Sequence, residues 1–310
     1  MPKLNIKLFW KILWTTINEF IDLKVPKMAA ALAYYTIFAI APMIIIVIKV
    51  CSIFAVNKPE NTIFNTIKDY VGNSAAVQIQ SMITNAAISP SGGIAYIVSI
   101  IALIFSATGV FTEIQDSINI IWKLKPKPKQ GWLKLIINRL LSFSILLSLG
   151  FILLVSLLLS AVLDAISEQF TKLFPQINLN ITLLINYSLS FLVTVLLFGI
   201  IYKVLPDAKI KWKEVIRGAI TTAILFLVGK FGIGYYLQTS KVGTIFGAAG
   251  SAMLLLVWVY YSALIVYFGA TYTRVNANLK GRKISPNDYA VYVEQVEVDS
   301  AEHEDKNVES

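Results

Sequence analysis

From Met28 to Ile48 the chain runs for 21 residues without a charge. At about 20 apolar residues per helical crossing, such a stretch is long enough to traverse a hydrocarbon core. Comparable segments recur at roughly Met28–Val56, Ile94–Trp122, Leu140–Leu163, Ile181–Leu205, Gly218–Ser240 and Thr244–Thr273. Each is too long for the core helix of a soluble domain and lacks the alternation of a strand. Composition agrees, with 56% hydrophobic and 15% charged residues and a mean hydropathy of +0.69. Soluble domains average about a quarter charged residues. No single globular core could bury this apolar surplus, so a soluble enzyme and a disordered chain are both excluded. The expected fold class is an all-α integral membrane protein with six transmembrane helices.

The net charge of +9 would raise a nucleic-acid question in a soluble protein. Here its distribution matters more. Lysine and arginine crowd the segment before the first span (Lys3, Lys7, Lys11, Lys24, Lys27) and the connection after the second (Lys123, Lys125, Lys127, Lys129, Lys134, Arg139). They recur after the fourth span (Lys203, Lys209, Lys211, Lys213, Arg217) and after the sixth (Arg274, Lys280, Arg282, Lys283). The alternate connections hold only Lys58, Lys68, Lys172 and Lys241. By the positive-inside rule both termini are expected in the cytoplasm of a multi-pass protein. The basic loops are explained by topology and show no nucleic-acid-binding pattern, so no nucleic acid is expected as a partner. With Lys3, Lys7 and Lys11 and no compact apolar core, the N-terminal region is not expected to be a cleavable signal.

Three regions follow. Residues 1–27 form an expected amphipathic helix at the cytoplasmic face, with Phe9, Ile12, Leu13, Ile17, Phe20 and Ile21 at helical spacing and Trp10 and Trp14 at headgroup level. It can lie on an anionic inner leaflet, making membrane lipids a partner, or pack on the end of the bundle. Residues 28–275 are the membrane domain, including an outer loop at 57–93 with amphipathic helical patterning. Residues 276–310 are expected to be a disordered acidic tail; positions 285–310 hold eight acidic residues against Lys306.

Charges inside spans are costly unless paired or hydrated and so point to function. Lys230 is the single charge between Gly218 and Ser240, in VGKFGIGYY, where Gly229, Gly232 and Gly234 permit close packing or an interrupted helix. It can face a cavity, snorkel or pair structurally. Lys49 follows a stretch already long enough to cross and can snorkel at the outer interface. Glu113 and Asp116 share one helix face with Thr112 and Asn119, either lining a cavity or lying at the inner interface. At 1.5 Å per residue, Glu113 and Lys230 differ in depth by on the order of 10 Å, which favours a hydrated path over one direct ion pair. Pro42 is expected to kink the first span. Gly243, Gly247, Ala248, Ala249 and Gly250 open the sixth span with a small-residue run suited to close approach or a re-entrant turn.

Enzyme signatures are missing. Cys51 and His303 are the only cysteine and histidine, which removes disulfides and thiolate or imidazole metal clusters. GxxxxGK[ST], GxSxG and HExxH do not occur. Neither a catalytic residue, a metal nor a cofactor is expected, and the chain is not expected to be an enzyme.

Three stretches together resemble the YihY/BrkB family of bacterial inner-membrane proteins, formerly labelled ribonuclease BN: AAALAYYTIFAIAP (29–42), GVFTEIQDSINIIW (109–122) and FGAAGSAMLLLVWVYYSALIVYFGATYTR (246–274). LPDAKIKWKEVIRGA (205–219) fits as well. The resemblance runs over about residues 10–280 and implies a six-span helical fold in a bacterial plasma membrane. Tyr34, Tyr35, Pro42, Asn119, Gly250 and Trp258 fall on its motif positions. One departure is that the family's common FGAE reads FGAT here, with Thr271 in place of the acid. The residues themselves give the ribonuclease label no support.

The expected function is therefore transporter-like or lipid- and solute-handling, through a polar intramembrane cavity touching Lys230, Glu113 and Asp116, with Lys49 and Asn119 as further lining. A non-transporting envelope scaffold, docking partners through basic loops and the acidic tail, is the alternative. A solute or lipid substrate is the expected partner besides membrane lipids, and such a fold is compatible with a homo-oligomer.

Overall fold

The computed structural model describes residues 6–53, 92–127, 179–239 and 248–294. The third expected span, the outer loop before Gly92 and the residues after Glu294 lie outside the described residues. Six helices are described. α1 is Ile6–Asp22, α2 Val25–Ile53, α3 Gly92–Ile121, α4 Leu179–Val204, α5 Trp212–Thr239 and α6 Ala248–Leu279. Four short strands are described with them: β1 Leu124–Pro126, β2 Ala208–Lys209, β3 Ser285–Pro286 and β4 Ala290–Tyr292.

Local chemistry sets the helix ends. Lys24 adopts φ 54° between α1 and α2, and Pro26 then sits in the first turn of α2, where its missing N–H costs nothing. Lys123, at φ 57°, ends α3 with its N–H bonded to the Ile120 carbonyl at 3.0 Å. α6 closes on Gly281 at φ 69°, whose N–H reaches Asn278 O at 2.9 Å while Arg282 N–H reaches Ala277 O at 2.9 Å. That double bond pattern is a Schellman cap, and glycine meets the left-handed conformation without strain. α2 continues as helix through Pro42, and α5 continues through Gly229, Gly232 and Gly234, so the interrupted helix is not formed there.

α6 is the central element, packing on α1, α2, α3 and α5; α2 also packs on α3, and α4 on α5. The shared core includes Ala29 and Leu32 of α2, Ile118 and Trp122 at the end of α3, Tyr202 of α4, Ala219 and Ala223 of α5, and Ala263 and Tyr267 of α6. On α5 the small residues face inward, while Ile216, Ile220, Ile224 and Val228 form an exposed stripe at four-residue spacing. Large apolar side chains outside and small ones inside suit a bundle in apolar surroundings, where close backbone approach holds helices together. Contact is tight enough that a Cβ on Gly269 would collide with Thr222 Oγ1 and Tyr202 Oη, and one on Gly218 with Thr273 Oγ1. The Tyr202 hydroxyl lies 2.8 Å from Thr222 Oγ1 and 2.7 Å from the Val266 carbonyl, joining α4, α5 and α6 at one point. Among the residues whose side chains are described, Leu255–Leu279 is the helical stretch long and apolar enough to cross a membrane.

The strands correct one expectation. Disorder from residue 276 onward does not hold through residue 294. β1 pairs antiparallel with β4 (Leu124 with Tyr292, Lys125 with Val291, Pro126 with Ala290), and β2 with β3 (Ala208 with Pro286, Lys209 with Ser285). Acidic composition did not prevent order, because the segment completes two ladders started by earlier connections and buries Ile284 and Ala290. Both prolines sit in two-stranded ladders, whose edges tolerate a missing donor.

Candidate functional site

The polar side chains that the sequence scatters over 250 positions converge at the strand-bearing end of the bundle. Asp207, in the turn between α4 and β2, is 2% exposed. Its carboxylate accepts Nε2 of Gln115 at 3.1 Å and Nδ2 of Asn119 at 3.0 Å, and its own N–H donates to Asn119 Oδ1 at 2.9 Å. The Asp207 carbonyl takes the Asn287 N–H at 3.0 Å, so α3, the α4–α5 connection and the C-terminal segment meet on one residue. Partial burial and then the Asp207 charge hold the nearby Tyr289 phenol above its ordinary range.

A second cluster surrounds Glu214, buried in the first turn of α5. It pairs with Arg217 one turn on at 3.1 Å and with Arg282 beyond the α6 cap, and Asn276 Nδ2 lies 3.4 Å from its Oε2. A carboxylate in a helix's first turn also meets the positive end of the helix dipole. Lys280 is held below the ordinary lysine range, first by burial and then by the Arg217 charge. A third pair joins α1 to α6 through Glu19 and Arg274, the arginine side chain being 4% exposed.

Two cavities open beside these clusters. One of about 560 Å³ is lined by Asp22, Asp116, Asn119, Lys123 and Lys125 with apolar neighbours from β1 and Val293. The other, of about 780 Å³, is lined by Glu19, Trp122, Lys123, Arg274, Lys283 and Tyr292 among others. Both have the volume of small-molecule sites.

The sequence-predicted residues divide accordingly. Asp116 and Asn119 share the smaller cavity, Asp116 exposed and Asn119 buried against Asp207. Glu113, half-buried, accepts a hydrogen bond from Ser117 Oγ at 3.1 Å and lines neither of these cavities. Lys49 and Lys230 lie in α2 and α5, with their side chains outside the described residues. Along the helices, Glu113 is about 12 Å from the α3 end and Lys230 about 27 Å from the α5 start, which keeps them well apart in depth. Tyr34 and Tyr35 are exposed on α2 with ring centroids 5.9 Å apart, and Tyr35 stacks over Gly109 of α3. Trp258 meets Phe226 edge-on at 5.9 Å, and Gly250 lies in the first turn of α6. Thr271, which departs from the acid common in the resembled pattern, is fully buried and bonds its own helix at Tyr267 O, 2.8 Å away. Among the described residues no group of histidine, cysteine, aspartate and glutamate could hold a metal ion.

Asp207, Glu214, Glu19 and Arg274 were not singled out from the sequence. The Glu214–Arg217 spacing was a legible signal; the partners of Asp207 and Arg274 lie 88 and 255 positions away and left none.

Comparison with known proteins adds a family to this geometry. The profile described as Virulence factor BrkB matches residues 16–290. A UPF0761 membrane protein of Tolumonas auensis is 28% identical over 89% of this chain and 88% of its own length. One from Stenotrophomonas maltophilia is 27% identical over 92% of this chain, and one from Xanthomonas campestris 28% identical over 85%. The chain spans 65% and 59% of the length of those two relatives. No solved structure matches.

Proposed function

The chain belongs to the BrkB family of bacterial membrane proteins, and from that premise we propose that it is a six-span, transporter-like protein handling an anionic solute or lipid. Both termini face the cytoplasm in this reading, which the crowding of lysine and arginine on alternate connections supports. The strand-bearing end is then the cytoplasmic end. The observation that carries the proposal is the pair of cavities with charged lining residues there, one of them walled by Asp116 and Asn119 on α3, the helix that continues inward past Glu113. A hydrated route from this end toward Lys230 on α5 would give an anion a cationic station in the apolar layer.

Reconstitution of the full chain into liposomes tests it, with anionic solutes and fluorescent phospholipids as cargo. Flux above that of empty liposomes is expected, and Lys230→Leu is expected to lower it at least tenfold while leaving folding intact. Wild-type flux in a folded Lys230→Leu protein would remove Lys230 from the route.

The scaffold reading draws on the acidic residues beyond Glu294. It predicts that deleting residues 295–310 strips co-purifying partners from the protein. The deletion has to begin there, since residues 285–292 are structural.

A further inference from the structure

Arg274 is the least satisfied buried cation among the described residues. Its Nη2 bonds Glu19, but Nε and Nη1 are buried and meet no hydrogen-bond partner among the described residues. A guanidinium stays protonated at any physiological pH, so these nitrogens carry N–H donors that burial leaves unmet. Leaving donors of a charged group unpaired is unfavourable, and such a group in a native structure calls for an unseen acceptor. The same arginine lines the cavity of about 780 Å³, with Lys123 and Lys283, both exposed, among its other lining residues. Glu19 and Glu294 line it too, and Glu19 already holds one edge of the guanidinium. Trp122, Ile284, Tyr292 and Val293 supply apolar wall.

We propose that this cavity binds a phosphate ester through Arg274, with Lys123 and Lys283 at the rim, and that Glu19 is the internal carboxylate the phosphate displaces. A tetrahedral oxyanion offers acceptors in several directions, as donors on separate edges of one guanidinium require, and pairs strongly with arginine. The cavity far exceeds the volume of orthophosphate alone, leaving room for an esterified group against the apolar wall. Because Glu19 lies on α1 and is 30% exposed, it can leave Arg274 without unpacking the core. Ligand binding at Arg274 thereby loosens one tie between α1 and α6. This site narrows the cargo class of the preceding proposal but does not depend on flux.

Equilibrium binding to the full chain in neutral detergent is the test. Three probes are titrated at constant ionic strength set by chloride: inorganic phosphate, glycerol phosphate and a short-chain phosphatidic acid. Saturable binding of at least one ester is expected, weakened at least tenfold by Arg274→Gln and several-fold by the Lys123→Gln/Lys283→Gln pair. Glu19→Gln should tighten binding several-fold, because it removes the competing charge; a purely structural ion pair would give no such gain. Glycerol phosphate binding alone marks a soluble ester, and phosphatidic acid binding alone marks a lipid headgroup; either supports the site. Absence of saturable binding by all three probes overturns it. So does unchanged affinity in Arg274→Gln. Should Arg274→Gln fail to fold, unchanged affinity in both Glu19→Gln and the double lysine variant overturns it instead. Failure of transport with binding intact would sink only the transport reading.

Discussion

Asp207 shows how one side chain can set the stability of an entire end of the molecule. Its carboxylate satisfies two amide donors from α3, and its backbone binds α3 and the C-terminal segment in addition. Asp207→Ala would leave the buried Asn119 amide and the half-buried Gln115 amide without this acceptor, at a cost of about 2–3 kcal/mol. A lower thermal midpoint in detergent is the expected readout, and an unchanged midpoint would show that the contacts contribute nothing net. Asn119→Asp should be worse than Asn119→Ala, since it sets a second carboxylate against the first. Asn119 is thus a positioning residue for the strand-bearing end as well as cavity wall. Thr271 is the quieter case: with its hydroxyl bonded to its own helix, it offers no charge to Arg274 one turn on. A carboxylate at 271 would lie within reach of that arginine.

Glycine makes the corresponding point for helices. Gly269→Ala pushes a methyl group into Thr222 and Tyr202, where α4, α5 and α6 meet, and should cost about 1–3 kcal/mol through overpacking. Gly232→Ala meets nothing within 4 Å and should instead stabilise α5 by about 1 kcal/mol through helix propensity. Paired thermal midpoints in one detergent compare them; equal shifts would contradict the packing described for α5 and α6. The helices themselves were legible because apolar length is a local property. α2, α3 and α4 begin and end within three residues of the segments read as spans. α5 starts six residues before Gly218, because Trp212–Arg217 forms a charged first turn and a half that hydropathy does not register. α6 likewise runs past Thr273 to its cap at Gly281. The exposed aromatics of α1, Trp10 and Trp14, coexist with a buried Ile12 and with Phe20 and Glu19 packed on α6. Of the two readings of that helix, packing on the end of the bundle is the one these contacts realise.

The whole molecule depends on contacts that no local pattern announces. β1 and β4 are separated by more than 160 positions, and a three-residue strand has no periodicity of its own. An acidic stretch judged by composition reads as solvated, yet its first part is held by partners elsewhere in the chain. Truncation after Glu294 should therefore leave a monodisperse, folded protein by size-exclusion chromatography. Truncation after Lys283 removes β3 and β4 and should yield aggregated or degraded material. Equal behaviour of the two truncations would mean that the ladders are dispensable.

The pairing of β3 and β4 with far earlier connections also imposes an order in time. A ribosome delivers residues 284–294 after every described helix, so the helices are made while β1 and β2, beyond the ends of α3 and α4, are still unpaired. Ile284 and Tyr292–Glu294 wall the larger cavity and Val293 the smaller. Both cavities are consequently among the last features to come into existence during synthesis. A nascent chain arrested before residue 284 would hold the six described helices and neither of these pockets complete.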